Sequence, residues 1–121
     1  MKHCLIVDDS RVTRKIARKL IEGLCFAVEE AEDCDKALDL CRHNMPDAIL
    51  LDCQKPNAAS MEFLRSVRSA PRGAKPVIVC IMIENDISCI TEAVNAGAND
   101  YIMKPFDRAL IAATFADTGL L

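Results

Sequence analysis

The sequence has no surplus of positive charge. Its 15 Lys and Arg stand against 18 Asp and Glu, a formal net charge of −3, whereas a domain that grips phosphate backbones carries an excess of basic side chains. Nucleic-acid binding by this chain is therefore not expected. There is no apolar run long enough to span a bilayer, and the opening Met1-Lys2-His3-Cys4-Leu5-Ile6-Val7-Asp8-Asp9 reaches carboxylates too early for a signal peptide. These absences point to a cytoplasmic protein with no membrane partner. The seven cysteines (Cys4, Cys25, Cys34, Cys41, Cys53, Cys80, Cys89) include no Cys-x-x-Cys pair and are odd in number, so neither a zinc site nor a disulfide framework is indicated. Reduced thiols serving as small apolar side chains are the expectation, with Cys34 and Cys53 in or near loops. Internal repeats, low-complexity tracts and a glycine-rich phosphate loop after the first apolar run are also missing. At 121 residues the chain has room for one folded domain, 1–121, large enough to bury a core without staples.

What is present is alternation. Short apolar runs rich in β-branched residues recur near 3–8, 26–31, 47–52, 76–82 and 99–103, with amphipathic stretches near 10–22, 34–43, 59–69, 85–96 and 107–117. That order predicts an α/β doubly wound sheet, five parallel strands joined by five helices. In the first helix Val12, Ile16, Leu20 and Leu24 share a predicted core face, while Arg11, Lys15, Arg18, Lys19 and Glu22 point largely elsewhere. Punctuation agrees: Ser10 suits an N-cap, Gly23, Asn44 with Pro46, and Gly97 suit helix ends, and residues 69–76 form a polar turn.

Parallel strands all point one way, so residues at their carboxyl ends gather on one edge, where ligands bind. Here the first strand ends in Asp8-Asp9, the third in Asp52, and the fifth runs into Lys104-Pro105. Close carboxylates repel unless compensated, and an oxygen-only donor set favours a hard cation such as Mg²⁺. Asp8 or Asp9 together with Asp52 would hold it, Lys104 would bring a point charge, and Asp52 has the character of a carboxylate nucleophile. Each residue has an ordinary explanation taken singly: a helix-entry pair, a strand-end turn, a solvated lysine. All of them lie where buried apolar strands stop, which those separate explanations do not account for.

With these residues in view, the chain resembles the receiver domains of bacterial response regulators, including single-domain regulators of the chemotaxis type. The likeness rests on Val7-Asp8-Asp9-Ser10, Leu50-Leu51-Asp52, Gly97-Ala98 and Lys104-Pro105-Phe106 and covers essentially the whole chain. It implies a flavodoxin-like receiver fold with strand order 2-1-3-4-5 and a single receiver domain with no output domain. It also implies Mg²⁺ held by Asp8, Asp9, Asp52 and the backbone carbonyl of Gln54, and phosphoryl transfer to Asp52 from a histidine kinase, phosphotransfer protein or small donor. Lys104 would pair with the phosphoryl group. The resemblance further implies a cis Lys104–Pro105 peptide and a switch in which Tyr101 rotates between exposed and buried states. Tyr101 also has a plainer reading as a strand-edge residue with a wet hydroxyl.

The sequence departs from the family pattern in places. Met82 stands where the family places a Ser or Thr that bonds the phosphoryl oxygen, and a thioether has no donor; Glu84, Asn85 or Ser88 would have to replace it. Met82 would either break the coupling between phosphate and the following loop or shield an acyl phosphate from water. Ser60 replaces a usual Gly and suggests a changed turn, Lys55 stands at a usually apolar place, and Cys34 replaces a frequent Gly at the entry to the second helix.

The expected function is two-component phosphorelay signalling by altered protein docking through the face of the fourth helix, fifth strand and fifth helix, without enzymatic turnover of an outside substrate. The alternative is a degenerate receiver that binds proteins independently of phosphorylation. A hydrolase of the haloacid-dehalogenase type would place an Asp two residues after its nucleophile, where Gln54 stands.

Overall fold

A computed structural model describes residues 1–53, 58–83 and 86–121. Gln54, Lys55, Glu84 and Asn85, to which roles were assigned above, lie outside the described residues. The chain alternates β1 (His3–Val7), α1 (Arg11–Glu22), β2 (Ala27–Ala31), α2 (Cys34–His43), β3 (Ala48–Asp52), α3 (Ala58–Ser69), β4 (Val77–Met82), α4 (Ile87–Ala96), β5 (Asp100–Met103) and α5 (Arg108–Asp117). The strands form one parallel sheet in the order β2-β1-β3-β4-β5, as expected.

Both faces of the sheet are covered, which is why the central strands read as nearly continuous apolar runs. Alternate residues serve the two sides. Leu5, Val7, Ile49, Leu51, Ile78, Cys80 and Met82 pack with Ala37 and Cys41 of α2, Leu64 and Val67 of α3 and Ala93 of α4. Cys4, Ile6, Leu50, Val79, Ile81 and Ile102 pack with Ala17 and Ile21 of α1 and Ile111 and Phe115 of α5. Phe26 and Phe115 meet with ring centroids 5.2 Å apart and planes tilted by 58°. Each fully buried Ile, Leu or Phe contributes about 1.5–3 kcal/mol of transfer free energy.

Side-chain oxygens of Ser10, Asp33, Asp86 and Asp107 accept backbone N–H groups at the starts of α1, α2, α4 and α5, meeting donors that a helix start leaves unpaired. Asn44 caps the end of α2. Gly97 ends α4 with φ 126°, and a Cβ there would lie 2.6 Å from Arg68 Cγ. Gly23 ends α1 at φ −63°, and the left-handed residue of that turn is Cys25, φ 69°.

Two sequence expectations need correction. In α1 Ala17 and Ile21 are buried, and Leu20, with Leu24 just beyond the helix, packs partly buried against the core as expected, whereas Val12 is 68% and Ile16 54% exposed. The helix is turned so that Arg14 and Arg18 reach Glu30 on β2, which carries the Val12–Ile16 stripe roughly a third of a turn away from the sheet. Ser60 lies in the first turn of α3, and among the described non-glycine residues only Cys25 and Arg72 have positive φ. A helical position does not call for glycine, so Ser60 marks no altered turn in the described backbone.

Candidate functional site

β1 lies between β2 and β3, so its carboxyl end falls where successive connections leave toward opposite faces of the sheet. Val7 is paired with Leu51, which sets Asp8 beside Asp52 one residue further on. Asp8 is 3% exposed. Its N–H donates to Ala31 O at 3.1 Å, and its Oδ1 accepts from Ser10 N–H at 2.8 Å. Asp9 is exposed and Asp52 half-buried. Each of the three carboxylates offers an oxygen within 4.8 Å of the others.

Lys104 follows β5, with its N–H donating to Met82 O at 2.8 Å, and the Lys104–Pro105 peptide is cis. Its Nζ lies 3.5 Å from Asp8 Oδ2 and 3.8 Å from Asp52 Oδ1. Three carboxylates around one ammonium leave a net negative hollow, and the all-oxygen donor set fits a hard divalent cation. A hollow of about 520 Å³ lies at Asp8, Asp9 and Asp52, lined also by Val7, Leu51, Glu32, Asp33, Cys34 and Asp35.

Cys34 lines this hollow and Cys53 follows Asp52 in the chain, and neither thiol is disposed to ionise. The Cys53 thiol is pushed well above its ordinary range by a hydrogen bond shared with Cys80 and by burial. Burial, then Asp33 and Asp35, raises that of Cys34. None of the seven cysteines is in a disulfide. Met82 is buried at the end of β4 and Tyr101 is exposed on β5.

The structure thus brings together Asp8, Asp9, Asp52 and Lys104, with Met82 at the neighbouring strand end and Tyr101 on the surface. Sequence reasoning missed Arg14, whose Nη1 donates to the backbone carbonyl of Asp8 at 2.7 Å. Its signal was the spacing of Arg14 and Arg18 on one side of α1 opposite the acidic Glu29-Glu30 of β2.

A sequence profile of the response regulator receiver domain matches residues 4–116. Response regulator MprA of Mycobacterium sp. (strain KMS) is 35% identical over 123 aligned positions, 95% of this chain and 53% of that protein. MprA of Mycobacterium avium (strain 104) is 34% identical over 102 positions, 84% of this chain and 44% of that protein. The chain spans about half the length of the curated relatives it matches. Among solved structures, Vibrio cholerae chemotaxis protein CheY4 superposes with a TM-score of 0.89 at 26% identity, covering 97% of this chain and 98% of that one. The receiver domain of sensor histidine kinase PA1611 from Pseudomonas aeruginosa PAO1, which has a magnesium ion coordinated in its active site cleft, gives 0.84 at 25% identity, covering 96% and 95%. The profile match over nearly the whole chain, the relatives and the sheet topology agree: this chain belongs to the response regulator receiver-domain family of two-component signalling.

Proposed function

We propose that the chain is a phosphorylation-driven receiver that accepts a phosphoryl group on Asp52 in a Mg²⁺-dependent reaction and signals by altered docking to a partner protein. The observation that carries this reading is the meeting of Asp8, Asp9 and Asp52 within 4.8 Å, with the Lys104 ammonium facing two of them. The donor would be the phosphohistidine of a histidine kinase or phosphotransfer protein, acting in the cytoplasm. Turnover of an outside substrate is not part of the proposal.

In the transfer an oxygen of Asp52 forms a new P–O bond as the donor's P–N bond breaks. The electron pair stays on the imidazole nitrogen, which takes up one proton. Asp8 and Asp9, with Asp52, would hold Mg²⁺, which supplies positive charge to the phosphoryl oxygens when bound. Gln54 would add its carbonyl. Lys104 brings a fixed positive charge to the same place, and Asp8 is kept from turning away by the Ser10 N–H. The output surface is proposed to be α4, β5 and α5, where Ile87, Val94, Tyr101 and Leu110 are exposed.

A second reading is favoured by one observation. Met82 is apolar and buried at the end of β4, so it offers no hydroxyl to draw the next loop toward a phosphoryl group. On that reading the chain docks to partners irrespective of phosphorylation. Intact mass after incubation with acetyl phosphate and Mg²⁺ separates the two. Gain of one phosphoryl group supports the first, and an unmodified chain supports the second.

A further inference from the structure

Arg14 lies in α1 with its side chain only 14% exposed, although a helix arginine on a receiver of this size could have turned to water. Its guanidinium is held at two points. Nη1 donates to the carbonyl oxygen of Asp8 at 2.7 Å, and Nε donates to Glu30 Oε1 at 3.1 Å. The other Glu30 oxygen accepts from Arg18 Nε at 2.6 Å, and Arg18 also pairs with Glu22 at 3.3 Å. A chain of charge-assisted contacts thus runs from the surface of α1 through β2 to the backbone of the buried carboxylate.

That backbone is where the contact matters. The Asp8 carbonyl and the Asp9 N–H belong to one rigid peptide plane. The Asp8 N–H is tied to Ala31 and its carboxylate to Ser10 and Lys104, and Arg14 holds the carbonyl of the peptide plane that leads into Asp9. Rotating it would swing Asp9 away from Asp8 and spread the oxygens that now lie within 4.8 Å. Mg²⁺ tolerates little spreading, because it demands near-ideal octahedral geometry at short range.

We propose that Arg14 is a positioning residue, oriented by Glu30, which fixes the Asp8–Asp9 peptide plane and so sets the affinity of the acidic cluster for a divalent cation. The inference rests on the reading above, in which that cluster holds Mg²⁺. Arginine is required because its planar fork reaches two acceptors at once, which a lysine ammonium on a flexible stem does not reproduce.

The test uses Arg14→Ala, Arg14→Lys and Glu30→Gln. Mg²⁺ is titrated against each while the Asp9 and Ser10 amide resonances are followed, with melting curves recorded in metal-free buffer. The rate of phosphorylation by acetyl phosphate is measured across Mg²⁺ concentrations. Arg14→Ala is expected to weaken Mg²⁺ binding by roughly 10- to 100-fold, the range typical of residues that orient metal ligands, while the rate at saturating Mg²⁺ returns close to wild type. Glu30→Gln shifts in the same direction by less, and Arg14→Lys recovers only part. Unchanged Mg²⁺ affinity in a folded Arg14→Ala, or full recovery with lysine, overturns the proposal; should Arg14→Ala not fold, unchanged affinity in Glu30→Gln does so. If wild type binds Mg²⁺ and never takes phosphate, the functional reading fails while the titrations still decide the role of Arg14.

Discussion

Asp8, Asp9 and Asp52 differ in their surroundings, and the differences assign them different tasks. Asp8 is buried and held by the Ser10 N–H, Asp9 faces solvent, and Asp52 sits half-buried at a strand end beside Lys104. Only Asp52 combines access with a fixed cation at its oxygen, so Asp52→Asn should abolish uptake of a phosphoryl group from acetyl phosphate, read by intact mass. At the end of β4, Met82→Thr should extend the amide shifts seen with beryllofluoride beyond the pocket toward Tyr101; shifts of equal reach in both proteins would show that another group already makes the coupling. These four charged residues were legible before any coordinates, because a parallel sheet must bring its carboxyl ends to one edge. Arg14 was not, since its role depends on the register that sets Val7 beside Ala31 and so Glu30 within reach of α1.

At the scale of elements, the strands were read to within a residue or two because buried parallel strands leave unbroken apolar runs such as residues 48–51 of β3. The facing of α1 was misread for a tertiary reason. Its expected stripe of Val12, Ile16, Leu20 and Leu24 meets the core only at Leu20 and Leu24, and with two arginines reaching Glu30 it is Ala17 and Ile21 that turn fully inward. Two substitutions test that correction. Ile21→Ala should cost about 2–5 kcal/mol in urea unfolding, as a buried truncation does, and Ile16→Ala roughly 0.5 kcal/mol or less. The end of α4 offers another check. Gly97 has φ 126° and is crowded by Arg68, whose guanidinium donates to the carbonyls of Gly97, Gly73 and Pro76. Gly97→Ala should therefore destabilise by about 1–3 kcal/mol through backbone strain, with added loss if Arg68 is displaced.

For the whole molecule, stability and the site share one ion-pair chain. The Glu30 carboxyl is held below its ordinary value of 4.5, first by the hydrogen bond from Arg18 and then by Arg14. With the folded-state value lowered, the unfolded chain binds its proton first on acidification. The stability from this group is thus complete above about pH 4.5 and is lost as pH falls through the folded-state value. Melting curves of wild type and Glu30→Gln should differ at neutral pH and converge in acid. No helix among the described residues is long and apolar enough to cross a membrane, and the fold's chemistry is concentrated at the carboxyl edge of the sheet. The most direct measurement is to treat the protein with acetyl phosphate and Mg²⁺, reduce any acyl phosphate with borohydride, and locate the resulting homoserine by peptide mass spectrometry. Homoserine at position 52, absent when Mg²⁺ is chelated, is the predicted result; its absence, or its appearance at another carboxylate, would contradict the account.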